Sequence, residues 1–386
     1  MSKARDRIRT EEDKLNSIVG AFLGLIIGDA LGMPYEGKSP KEIMFSTMRQ
    51  GVSGFVARQP YYNYETHRQI AGKPPASHTD DWQLNRAVAR SLVACGGFSL
   101  SHCVNCHVQE LLKDAGNFGA STRSNLDYYR LRFEEREPFI FRAIEELSGV
   151  GLSNGVAVKV MPLALFYNRD PEKLYDIIVK LSAVTHRSRE AMLSAHVMAT
   201  LMILLYYYPI GVDSPINDHQ RLDLLDYLIE NLYIREGKDS DPSRLMRGLL
   251  IVRDLVDWGV MSGLSETLKE KSLSNEERAL LIRQCMVDGG GDLSHHIGAD
   301  CACYHSVPFV IAMFLLNPSQ FKQGLIDVVN CGDDTDTNAA MLGALLGINL
   351  GAKKIPEELS GASLDFRDAG KLGVELFGVM KQLDIL

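Results

Sequence analysis

The chain has no dense run of lysine and arginine, no apolar leader and no paired-cysteine framework, and each gap removes a class of protein. Its 41 Lys and Arg face 49 Asp and Glu, for a net charge of −8 over 386 residues. The basic stripe that releases counterions from a nucleic-acid backbone is missing, so nucleic acid is not an expected partner. The opening stretch, MSKARDRIRTEEDKLN, mixes charges of both signs without an apolar centre and does not read as a secretory signal. Seven cysteines, an odd number scattered along the chain, imply reduced thiols and a cytoplasmic protein. The uncharged stretch from Ala191 to Val212 contains Ser194, His196, Thr200, Pro209 and Gly211 without a flanking basic cluster. It is expected to be a buried central helix, not a membrane span. Alternating strands joined by hairpin turns are also missing, as are repeats of fixed period.

Helical periodicity fills the chain instead. RAVARSLVACG, EKLYDIIVKLSAV, RLDLLDYLIENLY, SRLMRGLLIVRDLVDW and NEERALLIRQCMV each place apolar residues on one face of a 3.6-residue helix. Asp170-Pro171 and Asp241-Pro242 read as a capping Asp before a first-turn Pro, and Ser274 with Glu277 as a capping box. The expected fold is all-α: one large compact multi-helix domain spanning 1–386, with insertions near 50–77, 99–148 and 210–297. Gln50 to Ser77, rich in turn residues, is expected to be an irregular connection.

In GAFLGLIIGDALG, Gly20, Gly24, Gly28 and Gly32 are spaced by four and share one helix face. Glycine costs about 1 kcal/mol per helical position relative to alanine, so the spacing needs a reason. Close helix packing is one; letting a deep site approach the backbone at Asp29 is another, compatible with the first.

Acids concentrate in three short segments with apolar or small neighbours. These are Asp29 and Glu36 in GDALGMPYEG, Thr79-Asp80-Asp81 in SHTDDWQL, and Asp333, Asp334 and Asp336 with Thr335 and Thr337 in CGDDTDTNAAMLG. Crowded carboxylates cannot all stay ionised unless a cation joins them, and Asp and Thr oxygens are hard ligands of the kind magnesium or calcium prefers. Taken singly, each acid also reads as a helix cap or surface charge. The third segment lacks the central Gly and twelfth-position Glu of an EF-hand.

Together the segments resemble the ADP-ribosylglycohydrolase family, whose motifs run in the same order here: GAFLGLIIGDALGMPYEG, HTDDWQL, SNGVAVKVMPLAL, THRSREAM and GDDTDTNAAMLGALLG. The last is the most specific. The resemblance implies an all-helical enzyme that hydrolyses the bond between ADP-ribose and a modified protein or small conjugate, without a membrane. It implies two magnesium ions, replaceable by manganese. Thr79, Asp80 and Asp81 would hold one ion, Asp334 and Thr337 the other, and Asp336 would bridge both. Glu36 would serve beside the metals as ligand or acid/base, with Asp80, Asp81 and Asp336 in the catalytic set. Asn154 and Gly155 would cradle the diphosphate and ribose, and His186 would line the same cleft.

Three departures bear on recognition. Trp82 stands where the family has Ser or Thr and is expected to reshape the cleft rim. Lys159 replaces an Arg and loses bidentate geometry toward phosphate. Asp333 is an added charge in place of Gly. Two further clusters are weighed. His102, Cys103, Cys106 and His107 lack a second ligand pair nearby and are expected to be helical residues instead of a zinc site. The glycine-rich DGGGDLSHHIGAD is either a ligand-facing loop or an ordinary connection. Alternatives to the enzyme are a catalytically silent relative that binds ADP-ribose or is structural, and a metal-dependent nucleotide phosphohydrolase.

Overall fold

The computed structural model describes residues 9–63, 68–116, 118–135, 151–237, 241–270, 272–287 and 297–386. Among them the chain forms eighteen α-helices and one two-stranded ribbon. The first part contains α1 (Glu11–Gly32), α2 (Pro40–Ser46), β1 (Tyr61–Asn63), β2 (Arg68–Ile70), α3 (Asp80–Cys95), α4 (Leu100–Lys113) and α5 (Ala120–Glu135). Next come α6 (Gly155–Lys159), α7 (Met161–Phe166), α8 (Pro171–Thr185), α9 (Arg189–Tyr207), α10 (Asp218–Glu236), α11 (Arg244–Asp257), α12 (Val260–Glu270) and α13 (Asn275–Ile282). The last are α14 (Cys303–Leu316), α15 (Phe321–Asn330), α16 (Thr335–Leu350), α17 (Glu357–Ser360) and α18 (Leu364–Gln382). The all-α class expected from periodicity is the one observed.

Local signals fix most helix starts. Asp170 accepts from the Lys173 amide with Pro171 in the first turn, and Ser274 and Glu277 complete a reciprocal capping box. Asp241-Pro242 does not start a helix. The cap of α11 is Ser243, in extended conformation, whose hydroxyl accepts from the Met246 amide at 3.0 Å, and Pro242 lies before it, outside the helix. The irregular connection contains a ribbon of three residue pairs, Tyr61 opposite Ile70 to Asn63 opposite Arg68, too short to leave a period-2 pattern. In NEERALLIRQCMV the α-helix ends at Ile282 and widens into a π turn over Arg283–Val287.

The centre of the fold is an antiparallel pair, α1 against α16. A Cβ at Gly20, Gly24, Gly28 or Gly32 would lie 2.2, 1.9, 1.9 or 2.3 Å from the carbonyl oxygens of Gly347, Gly343, Ala339 and Thr335. Gly343 and Gly347 meet the α1 backbone as closely from the other side. Six glycines thus let two backbones touch, which accounts for their cost in helix propensity. Around this pair pack α3, α9, α14, α15 and α18. A smaller apolar cluster of Leu84, Val104, Val108, Leu111, Phe118, Leu126, Tyr129 and Val184 joins α3, α4, α5 and α8. Among the described residues two helices, α1 with its following turn and α9, are long and apolar enough to cross a membrane by length and composition, and their apolar windows are 78% and 72% buried in the fold.

Because the pair is antiparallel, the C-terminal end of α1 (Asp29, Gly32) abuts the N-terminal end of α16 (Thr335, Asp336). The N-terminus of α3 arrives at the same place, drawn in by Asp29. Two helix N-termini, each the positive end of a dipole, therefore face one acid-rich point.

Candidate active site

Asp29 sets the geometry. It is fully buried on the last turn of α1. Its Oδ1 accepts the Thr79 amide at 2.8 Å, and Oδ2 accepts the amides of Thr79 at 3.1 Å and Trp82 at 3.0 Å. One side chain thus caps the start of α3 from another helix, while Thr79 Oγ1 accepts from the Asp81 amide. Capping in this way points Asp81 inward. One oxygen each from Asp29, Asp81 and Asp336 lie within 4.8 Å of one another. Asp336 Oδ1 also accepts the Thr337 amide at 3.0 Å.

Asp334 is the N-cap of α16, yet its side chain does not cap. Asn154 Nδ2 donates to Asp334 Oδ2 at 2.7 Å and to Ser306 Oγ at 2.9 Å. Ser306 donates on to Asn338 Oδ1 at 2.7 Å, and Ala299 O accepts from Asn338 Nδ2 and the Asp334 amide. This buried polar lattice, joining α6, α14 and α16, holds Asp334 at a set angle. Its outer partners, Ser306 and Asn338, carry no sequence signal of their own, because they act only through contacts between distant segments.

Charge is poorly tolerated at this point. Burial raises Asp80, Asp81 and Asp336 well above the usual carboxylate range. Glu36 and Asp29 add to this for Asp80, Asp29 and Asp80 for Asp81, and Glu36 and Asp334 for Asp336. Asp334 is raised by burial against hydrogen bonds from Asn154, Asp336 and Thr337, and Asp29 by burial against His78 and the amides it caps. Among the described residues no Lys or Arg forms an ion pair with any of these five. Asp81 Oδ2 is buried without a hydrogen-bond partner. An orphaned carboxylate oxygen amid like charges is the condition a hard divalent cation relieves, so the donor set fits a cation of that class, magnesium included.

The segments singled out from sequence come together: Thr79, Asp80 and Asp81 from α3 with Asp334, Asp336 and Thr337 from α16. Thr337, on the first turn of α16, donates its amide to Asp336 Oδ1 and helps to keep the carboxyls of Asp81 and Asp334 from rising further. Glu36 is exposed on the turn after α1, with its charge bearing on Asp80 and Asp336. The resemblance left Asp29 out of the ligand set; the glycine face leading to it was the available signal. Asn154 is buried and spends its amide on Asp334. Gly155 packs on His186, since a Cβ there would lie 2.6 Å from the ring. His186 is 2% exposed, with both nitrogens engaged by Ser153 and Thr185.

Two of the three departures resolve differently from expectation, and the third, Asp333, finds a partner. Trp82 is not at a rim: it is 1% exposed and meets Phe22 edge-on at 6.2 Å, fixing α3 to α1. Lys159 does not face a phosphate; it is fully buried and donates to Thr185 Oγ1. Asp333 turns away from the other acids. Its φ is +65°, its backbone pairs with the 37–38 strand segment beside Glu36, and its carboxylate takes Arg283 at 3.0 Å. Of the remaining clusters, Cys103 and His107 are buried on α4, where the His107 ring donates to Cys103 O at 2.7 Å. In the glycine-rich loop, residues 288–296 lie outside the described residues.

Comparison with known proteins agrees with this geometry. The profile of the ADP-ribosylglycohydrolase family matches residues 10–383. ADP-ribosylhydrolase ARH3 of Bos taurus is 23% identical over 391 residues, covering 95% of this chain and 94% of that protein. ADP-ribosyl-[dinitrogen reductase] glycohydrolase of Rhodospirillum rubrum is 27% identical over 173 residues, 44% of this chain and 50% of that one. A solved structure titled ADP-ribosylglycohydrolase-related protein complex shares the fold at a TM-score of 0.57 and 20% identity, over 96% of this chain and 99% of the other. A profile match across nearly the whole chain, over a fold that converges its motif acids, shows that the chain belongs to the ADP-ribosylglycohydrolase family.

Proposed function

We propose that the chain hydrolyses the N- or O-glycosidic bond between ADP-ribose and a modified protein or small conjugate, releasing ADP-ribose, at a two-magnesium site. The observation that carries this reading is the convergence of buried carboxylates with no basic partner, including the orphaned Asp81 oxygen. Thr79, Asp80 and Asp81 would hold one ion and Asp334 and Thr337 the other, with Asp336 available to either. Manganese would suit the same oxygens. Bound there, the ions would supply Lewis-acid stabilisation of developing charge.

The chain's own groups supply the rest. Asp29 holds the start of α3 so that Asp80 and Asp81 are presented together. Asn154 orients Asp334, and Gly155 and His186 shape the loop toward the ligand. Glu36, exposed beside the acids, would take a proton from water or give one to the leaving group. Flanking carboxylates favour the oxocarbenium-like state through which glycosidic bonds break.

The test is a panel of ADP-ribosylated substrates incubated with magnesium or with chelator. Magnesium-dependent release of free ADP-ribose is expected. No product from any substrate would mark a silent binding relative, and AMP with ribose phosphate a phosphohydrolase.

A further inference from the structure

A buried chain of hydrogen bonds runs from α6 to the edge of the acid site. Lys159 Nζ donates to Thr185 Oγ1, Thr185 Oγ1 meets His186 Nδ1 at 2.9 Å, and His186 Nε2 meets Ser153 Oγ at 2.6 Å. Lys159 and Thr185 are fully buried and His186 nearly so, whereas Ser153 is partly exposed. Ser153 precedes Asn154, the residue that holds Asp334, and takes the first position of the family's G-N-G loop.

The direction of this chain follows from donor and acceptor counts. Burial, with the nearby Lys159, pushes the His186 imidazole down to about 3, so the ring is neutral and carries one N–H. Lys159, pushed down by burial to about 7, is an ammonium below that pH and can only donate. Among the described residues Thr185 Oγ1 has two partners, Lys159 and His186. With Lys159 donating, the Thr185 hydroxyl proton has one acceptor available, His186 Nδ1. The ring N–H is then on Nε2 and donates to Ser153 Oγ. Ser153 has no other side-chain partner among the described residues, so its own proton is left to point outward.

We propose that Ser153 is a specificity-determining donor, its hydroxyl proton aimed by Lys159, Thr185 and His186 at an anionic oxygen of the ligand. Resting on the reading above, that oxygen belongs to the diphosphate of ADP-ribose. His186 then acts through Ser153, as a positioning residue, instead of touching the ligand. Gly155 is needed in this arrangement because any side chain there would displace the ring.

Two measurements at about pH 6.5 test it. The first is the His186 tautomer in the wild-type protein, read from imidazole ¹⁵N shifts; the Nε2–H form is expected, and the Nδ1–H form would overturn the relay whatever the ligand. The second is calorimetry with ADP-ribose. Ser153→Ala should weaken binding roughly tenfold, the scale of one hydrogen bond to a charged group. Thr185→Val should weaken it by about the same factor, although Thr185 is fully buried, because without its proton His186 turns to accept from Ser153. The double variant should be no weaker than either single one. Wild-type affinity in Thr185→Val would overturn the proposal. Absence of ADP-ribose binding by the wild type would instead overturn the functional reading, and the tautomer would still decide the relay.

Discussion

Two buried acid sites share helix α3 and are handled in opposite ways. Glu110, on α4, is 2% exposed and takes Arg86 in a two-point contact (3.1 and 2.5 Å), Arg90 at 3.3 Å and Lys113 at 3.1 Å. Burial pushes its carboxyl up, but the bonds and charges of Arg86 and Lys113 outweigh this and leave it lowered. About one and a half turns before Arg86 on α3, Asp80 and Asp81 have no basic partner among the described residues and are raised well above their usual range. Cations are therefore at hand on α3, and the fold places them away from the motif acids. Asp333 follows the Glu110 pattern at the edge of the same site, neutralised by Arg283. Glu110 and Asp333 each receive a guanidinium; among the described residues the acids of the cluster receive none.

The largest expected effect separates the two classes by activity. Asp336→Asn should cut ADP-ribose release roughly 1000-fold, the scale of losing one electrostatic anchor at a reacting centre. Its melting temperature in chelator should not fall, because one repulsive charge is gone. Wild-type turnover in this variant would move Asp336 to the structural class.

Arg86→Ala should do the reverse. Leaving Glu110 buried with its two-point partner gone should cost about 3 kcal/mol in denaturant unfolding. Turnover per folded molecule should be unchanged, since Arg86 bonds Glu110 and none of the clustered acids. A loss of turnover without loss of stability would contradict the distinction.

Magnesium should stabilise the protein by about 2.7 kcal/mol at a hundredfold excess over its dissociation constant. The clustered acids have folded values raised above their unfolded ones. Without metal, their contribution to stability is full below the ordinary carboxylate range and is lost as pH rises through the raised values. The cation needs the ionised forms, so its stabilisation should be wide at about pH 8 and narrow at about pH 5. Melting curves with magnesium and with chelator across that range provide the check, and a gap independent of pH would contradict it.

Asp333→Gly should have the smallest effect, within about 1 kcal/mol, because relief of a positive φ offsets the lost, partly exposed ion pair. Turnover should stay within about twofold, since this pair lies outside the cluster and a surface ion pair is worth little.

The parts of this contrast legible in the sequence are those written in local spacing. Four glycines in register gave the α1 face, and Thr-Asp-Asp and Asp-Thr-Asp-Thr before apolar runs gave two acid-bearing helix starts. What the spacing could not give is which acid has a partner. Arg86 with Glu110, Asp333 with Arg283 and Asn154 with Asp334 join segments far apart in the chain. Trp82 and Lys159 were misplaced for the same reason: a bulky or basic residue beside a motif looks accessible until the opposing helix is known. Asp29 shows a third limit, since its oxygens serve another helix's amides as well as the acid cluster. The start of α11 slipped by two residues because Asp-Pro and Ser243 both fit a cap, and the hydrogen bond to Met246 decides between them.

The most direct test of the contrast is a calorimetric titration of metal-free protein with magnesium, comparing wild type, Asp336→Asn and Arg86→Ala. Binding is expected in wild type and Arg86→Ala and lost in Asp336→Asn. No binding by the wild type, or equal binding by all three, would mean that the unpartnered acids are not a cation site.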